Sequence, residues 1–198
     1  GNVIDALEGQ GSRARVLFAS STGVYGEDAG GWVDESTPPD PRGFSGEQLL
    51  AAEERLARSP LVGAALRLSG IYWPSRKVLL GRVAQGLASY PARGERWMNQ
   101  IHEEDAARAV LHAIGLDPLP PTICVSDGEP ADRRVMLGWL ARRMGAPEPT
   151  EGAPGSAGAG KRVSSRLLIS TGFAYSFPTY REGYGSFLDS APDGPVTG

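Results

Sequence analysis

Histidine, cysteine and lysine do much of the proton and nucleophile chemistry of proteins near neutral pH. This sequence of 198 residues holds two histidines, one cysteine and two lysines. His102 stands before Glu103, Glu104 and Asp105, a cluster whose residue types suit acid/base work. The same residues suit the start of a helix, because carboxylates are stabilised at the positive N-terminal end of the helix dipole. The helix-start account is preferred, and His112 then falls near the other end of that helix, where a cation is favoured. Any role that needs an amine falls to Lys77 or Lys161. Arg76, Arg93 and Arg96 carry guanidinium forks that match phosphate oxygens. Each of them is also readable as a solvated surface arginine. Cys124 has no partner for an internal disulfide, and no Cys/His cluster has zinc spacing.

Two glycine patterns suggest phosphate binding and fail on context. Gly9 to Ala14 matches G-x-G-x-x-A, but a dinucleotide loop must follow a strand and open a helix so that helix amides meet the pyrophosphate. Here a helical stretch precedes and a strand follows, which reads as a helix C-terminal turn. Gly155 to Lys161 matches G-x-x-x-x-G-K. Arg162 then stands where the magnesium-binding Ser or Thr belongs, and no strand precedes. A loop explains it better.

Composition narrows the classes. Hydrophobic residues are 40% and charged residues 22%, which is globular composition. A net charge of −3 argues against a nucleic-acid binder that works by bulk positive charge. No apolar run reaches the length of a membrane span. A reducing cytoplasm is the simplest compartment for a chain with one cysteine. The chain opens at Gly1 directly into helical sequence, as if a leader had been removed or the chain were a piece of a longer protein.

Periodicity gives the elements. Arg15 to Ser20 is a short apolar run suited to a buried parallel strand. Ser21 to Pro41 is read as irregular, with Pro38, Pro39 and Pro41 stopping any element. Gly46 to Arg58 has Leu49, Leu50, Ala52 and Leu56 near one face, and so is a helix. Val62 to Ile71 is a strand and Val78 to Ala88 a helix. Glu103 to Ile114 is a helix with Ala106, Val110, Ala113 and Ile114 inward. Thr122 to Val125 is a strand. Arg133 to Met144 is a helix with Val135, Leu137, Leu140 and Met144 inward. Glu148 to Gly160 is a low-complexity loop. Short helices are expected within 163–172 and over 180–188, then a tail. Strands alternating with helices predict an α/β fold: an incomplete Rossmann-like parallel sheet with helices and a small C-terminal lobe. The expected division is 1–75 for the later part of the cofactor-binding domain, 76–190 for a helical substrate-side lobe with some returning core elements, and 191–198 for the tail.

Several segments, in order, resemble the NAD-dependent epimerase/dehydratase family of extended short-chain dehydrogenase/reductases. Val16 to Gly26 looks like its SS-x-x-VYG segment, and Asp34 to Pro38 like the DE-x-x-P that follows. Arg67 to Pro74 looks like R-x-x-x-x-YGP, with Trp73 in place of the small glycine. Gln100 to Asp105 resembles x-IHV-x-D. Thr122 to Pro130 resembles YNV-x-D-x-x-P. The stretches Lys161 to Ser164 and Phe177 to Gly183 look like the end of atypical members.

The resemblance implies a Rossmann-type sheet, NAD or NADP as cofactor and a nucleotide sugar or related small metabolite as substrate. It places Ser21 at the family's catalytic Ser/Thr position, although a strand-end serine also commonly caps a turn. The family's Y-x-x-x-K falls on Phe44 and Gln48. Neither can act as the phenol or the ammonium, so standard hydride-transfer chemistry lacks its acid/base and its activator. By resemblance Ala19, Ser20, Leu68, Ser69, Gly70 and Ile71 line the cofactor, and Tyr25, Arg76 and His102 face the substrate. No metal is implied. The early strands and the glycine loop of the family fold are not in this sequence, so weak or absent cofactor binding is expected of the chain alone. A homodimer through the helix over 46–58 is implied, with no nucleic-acid or membrane partner. The alternatives are a catalytically silent binding or scaffold protein, and a fragment that needs its N-terminal half.

Overall fold

The computed structural model describes residues 2–75, 78–91, 94–152 and 158–189. Helix α1 (Asn2–Gly9) leads through Gly11, at φ 60°, into strand β1 (Val16–Ser21). The G-x-G-x-x-A stretch is therefore the turn that ends a helix, as its context indicated. A 3-10 turn (Thr22–Val24) follows, then β2 (Ala29–Val33) and α2 (Phe44–Ala57). Next come β3 (Gly63–Leu68), β4 (Gly70–Tyr72), α3 (Val78–Ala84), β5 (Ser89–Tyr90), β6 (Trp97–Met98) and β7 (Gln100–His102). The second half holds α4 (Glu103–Ile114), β8 (Thr122–Val125), β9 (Ala131–Asp132), α5 (Arg133–Met144), β10 (Thr150–Glu151), β11 (Gly160–Val163), α6 (Arg166–Ser170) and α7 (Tyr180–Leu188).

The central sheet is parallel, in the order β1-β3-β8. Ser21 lies opposite Leu68, and Leu68 opposite Val125, so the C-terminal ends of the strands share one edge. This is the α/β Rossmann-like arrangement expected, and ligands of such sheets bind at that edge. From the later half, β8 joins this sheet, while β11 pairs with β2 in a separate two-stranded sheet.

Two expectations need correction. The stretch 21–41 is not irregular: β2 forms within it because β11 supplies a parallel partner from over a hundred residues on. Local sequence cannot carry that signal, and Gly30 and Gly31 read as a turn. The strand expected over 62–71 is two strands. At its end the backbone changes partner: Ser69 N–H donates to the Val125 carbonyl at 2.9 Å, and Gly70 N–H to the Asn99 carbonyl at 3.1 Å. β3 thus stays in the central sheet while β4 turns away to pair with β7.

The helices bury one face each. α4 packs Ala106, Ala109 and Ala113 against Leu66, Ile123 and Val125 of the sheet. α5 packs Met136, Leu137, Leu140 and Ala141 against Tyr72, Val83, Tyr180 and Tyr184. Ile114 and Val135, expected inward, are about half exposed: Ile114 is the last residue of α4, and Val135 lies off the stripe of α5 that buries Met136, Leu137, Leu140 and Ala141. Among the described residues no helix is long and apolar enough to cross a membrane.

Candidate functional site

Strand β1 ends at Ser21, and the chain there bends into the 3-10 turn. The Ser21 hydroxyl oxygen accepts the Gly23 N–H at 3.0 Å, which caps that turn. The serine does the local job that its position suggests, and it also lines a cleft of about 830 Å³. Glycines bring the cleft walls close together. A side chain at Gly26 would overlap the Asp40 carbonyl, and one at Gly46 would stand 2.9 Å from the Gly23 carbonyl. Both glycines therefore let α2 and the loop before it lie directly on the turn after β1. The start of α2 forms one wall, with Gly43, Phe44, Ser45, Gly46 and Leu49 lining the cleft. No side chain caps that helix end, so its N-terminal amides add positive potential there.

The ionisable groups of the cleft come from three separate stretches: Glu27 and Asp28, Arg42, and Arg96 with Lys161. Arg42 pairs with Asp28 at 2.6 Å. Glu27 accepts the Ala29 and Gly31 N–H groups, which hold its carboxyl below the usual range. Arg96 donates to the Gly158 carbonyl at 2.8 Å. Lys161 reaches in from β11 and donates to the Tyr25 carbonyl at 2.6 Å. Its strand is fixed by Asn99, whose amide donates to the Lys161 carbonyl and accepts the Val163 N–H, each at 2.8 Å. Burial holds the Lys161 ammonium below its ordinary value, and Arg42 adds to that. Glu27 and Asp28 oppose it.

The residues expected at the site separate into groups. Ser21 and Phe44 line the same cleft. Phe44 is 78% exposed at its mouth, and Gln48, one turn further along α2, is also exposed. Neither supplies an ionisable proton. Tyr25 is corrected as a substrate-facing phenol: it borders the cleft, but its ring is buried and its hydroxyl points inward. That hydroxyl donates to the Asp34 carbonyl at 2.7 Å, accepts from Arg67 at 2.7 Å and lies 3.2 Å from the Cys124 sulfur. Burial pushes the Tyr25 phenol far up and the Cys124 thiol up to about 12, so neither ionises near neutrality.

His102 is likewise corrected. It is buried, its Nδ1 accepts the Glu104 N–H at 3.2 Å at the start of α4, and its ring lies 3.9 Å from that of Phe177. Burial pushes it toward the neutral form. It is the helix-start residue of the preferred account, and it does not border the cleft. Ala19 and Gly70 are exposed, Leu68 and Ile71 half-buried, and Ser20 and Ser69 buried. Ser20 is turned into the protein, where its hydroxyl donates to Glu53 at 2.5 Å. Arg76 and Arg93 lie outside the described residues, as does part of the G-x-x-x-x-G-K stretch. Among the described residues no group of three or more His, Cys, Asp or Glu could hold a metal ion.

Sequence reasoning named Arg96 and noted that Lys161 was one of two lysines. It did not bring Lys161 into the cleft, and it did not single out Arg42, Glu27 or Asp28. The scarcity of lysine was the available signal. The pairing of β11 with β2, which delivers Lys161, was not legible.

Known proteins share this build. A structure from Methylobacillus flagellatus, provisionally identified as an NAD-dependent epimerase/dehydratase, is 36% identical, with a TM-score of 0.82 over 96% of this chain and 68% of that one. The chain belongs to the NAD-dependent epimerase/dehydratase family. Protein YeeZ of Escherichia coli is 36% identical over 172 residues, 83% of this chain. The chain spans 59% of the length of YeeZ. The UDP-glucose 4-epimerase of Thermus thermophilus, in complex with NAD, is 22% identical with a TM-score of 0.78 over 95% of this chain and 67% of that one, which is a likeness of fold. No protein-family model matches the chain.

A nicotinamide dinucleotide needs a sheet edge for its ring and backbone amides for its pyrophosphate. The aligned ends of β1 and β3 supply the first, with Ala19 and Gly70 open. Among the described residues no short glycine-rich loop leads from a strand into an α-helix, so the second is not supplied. The residues present fit the ring end of such a cofactor and not its phosphates.

Proposed function

We propose that this chain carries the substrate-facing part of an atypical NAD(P)-dependent epimerase/dehydratase-like protein, acting on a nucleotide sugar or a related small metabolite. The observation that carries the reading is the cleft itself. Ser21, from the end of β1, and the uncapped start of α2 face one space of about 830 Å³ beside the ligand-binding edge of the sheet. Arg42, Arg96 and Lys161 against Glu27 and Asp28 leave that space with a net positive set, which suits an anionic substrate. Residues outside this sequence would have to supply the amides for a pyrophosphate.

The second reading is a catalytically silent protein that binds a small molecule in the same cleft. Phe44 and Gln48, both exposed and both without an ionisable proton, favour it. Fluorescence titration with NADH, NADPH and UDP-glucose tests the first reading. Binding of UDP-glucose together with either dinucleotide supports it. If no ligand changes the signal at millimolar concentration, the first reading fails for this chain. Phe44→Tyr with Gln48→Lys separates the two readings once a ligand pair binds. Turnover that appears only in the double variant identifies the natural chain as a silent binder.

A further inference from the structure

We propose that Lys161 is the proton-handling residue of the cleft, its ammonium giving a proton to, and its amine taking one from, a substrate oxygen held beside Ser21. The inference rests on the reading of the cleft as the substrate site and names the group that works there. The residues at the family's acid/base positions, Phe44 and Gln48, cannot move a proton. Each other ionisable group of the cleft is excluded by chemistry or by its partners. Arg42 and Arg96 do not release a proton in proteins. Asp28 is ion-paired with Arg42 at 2.6 Å, and Glu27 is held as an anion by two backbone N–H groups. The Tyr25 hydroxyl points away, into contact with Arg67, Cys124 and the Asp34 carbonyl.

Lys161 lines the cleft and is half-buried, as Glu27 and Arg96 are, but it alone among the cleft's groups can exist as either amine or ammonium. One of its three N–H bonds is used by the Tyr25 carbonyl at 2.6 Å, which aims the group and leaves hydrogens for a ligand. Burial lowers its affinity for the proton, as does Arg42 across the cleft, while Glu27 and Asp28 restrain the shift. The backbone is built for this placement. Gly160 adopts φ 72°, and a side chain there would stand 2.9 Å from the Trp97 carbonyl. The proton balance is simple. In one direction an Nζ–H bond breaks and an O–H bond forms on a substrate alkoxide, leaving the neutral amine. In the other, the amine lone pair takes the hydroxyl proton and becomes ammonium.

The test uses the presence of only two lysines. Reductive methylation with 13C-formaldehyde labels both, and Lys161→Arg identifies the Lys161 signal by its loss while keeping the charge. Circular dichroism of that variant checks that it folds. The expected result is a Lys161 signal that titrates at lower pH than dimethylated N-acetyl-lysine amide and shifts when millimolar UDP-glucose is added. A titration matching the free amide overturns the proposal. So does a signal unmoved by UDP-glucose at concentrations that quench tryptophan fluorescence, because the ligand then binds away from the amine. If neither method responds to UDP-glucose, the nucleotide-sugar reading fails and the proposal for Lys161 falls with it, because burial alone lowers the titration of an amine.

Discussion

Arg67 is a guanidinium inside the protein, and its neighbours explain how it is tolerated. It donates to Glu53 through Nε and Nη2, the shortest contact being 2.6 Å, and to Tyr25 at 2.7 Å, while Ser20 donates to Glu53 at 2.5 Å. Removing one partner of a buried pair strands the other charge, whereas replacing both with apolar groups does not. Arg67→Met is expected to cost about 3–5 kcal/mol in urea unfolding, and adding Glu53→Leu is expected to restore most of it. Asp127 is the opposite case. It is buried, and its Oδ2 has no hydrogen-bond partner. Burial raises its carboxyl well above the ordinary value. The folded state therefore holds that proton more tightly than the unfolded chain. Its contribution is present at low pH and is lost as pH rises above about 4, the unfolded carboxyl value, through the raised folded value. Asp127→Asn is expected to flatten that part of the stability profile, so that the variant gains on the natural chain from pH 4 to 7. Thermal melts of both across that range check it, with loss of the gain at neutral pH counting against the assignment.

At the scale of elements, the cleft takes one wall from α2 and its lysine from β11. Gly160 is the first residue of that strand and takes a positive φ of 72°. A side chain in that conformation costs about 1–2 kcal/mol, and here it also presses on the Trp97 carbonyl. Gly160→Ala is expected to destabilise the protein by about that amount or more and to return the Lys161 titration toward the free-amine value. Unfolding and the 13C-methyl signal measure the two effects separately. The helices were legible because their caps and stripes agree. α4 begins at His102 with three carboxylates in its first turn, and α5 begins at Asp132, whose side chain accepts the Arg134 and Val135 N–H groups. The strand pairings were less legible. β2, β5, β6, β9 and β10 are short and exist because a partner elsewhere supplies the hydrogen bonds.

For the whole molecule, the central sheet has β1 and β8 as its two edge strands among the described residues. β1 pairs with β3 on one side, and among the described residues no strand pairs with its other side. Beside it lies an apolar groove of about 480 Å³ lined by Val3, Ile4, Val16, Leu17, Phe18, Ala52 and Leu56, with Arg55 at its border. An open strand edge next to apolar surface favours association. Sedimentation of the chain is expected to show mass rising with concentration, and Leu17→Lys is expected to reduce that rise. A sharp monomer boundary at all concentrations would refute the expectation.

The amino-acid order alone determined the family, the α/β class and the long helices. Those properties are written in local periodicity and in motifs a few residues long. Tertiary structure decided where the remaining chemistry lies. It turned the Tyr25 phenol and His102 inward, and it carried Lys161 to the cleft from 140 positions beyond Ser21 in the chain. The physical reason is that a side chain's burial and reach are set by the strand its backbone pairs with. Here that partner is β2, a strand of five residues, two of them glycines, that pairs with β11 from the far end of the sequence.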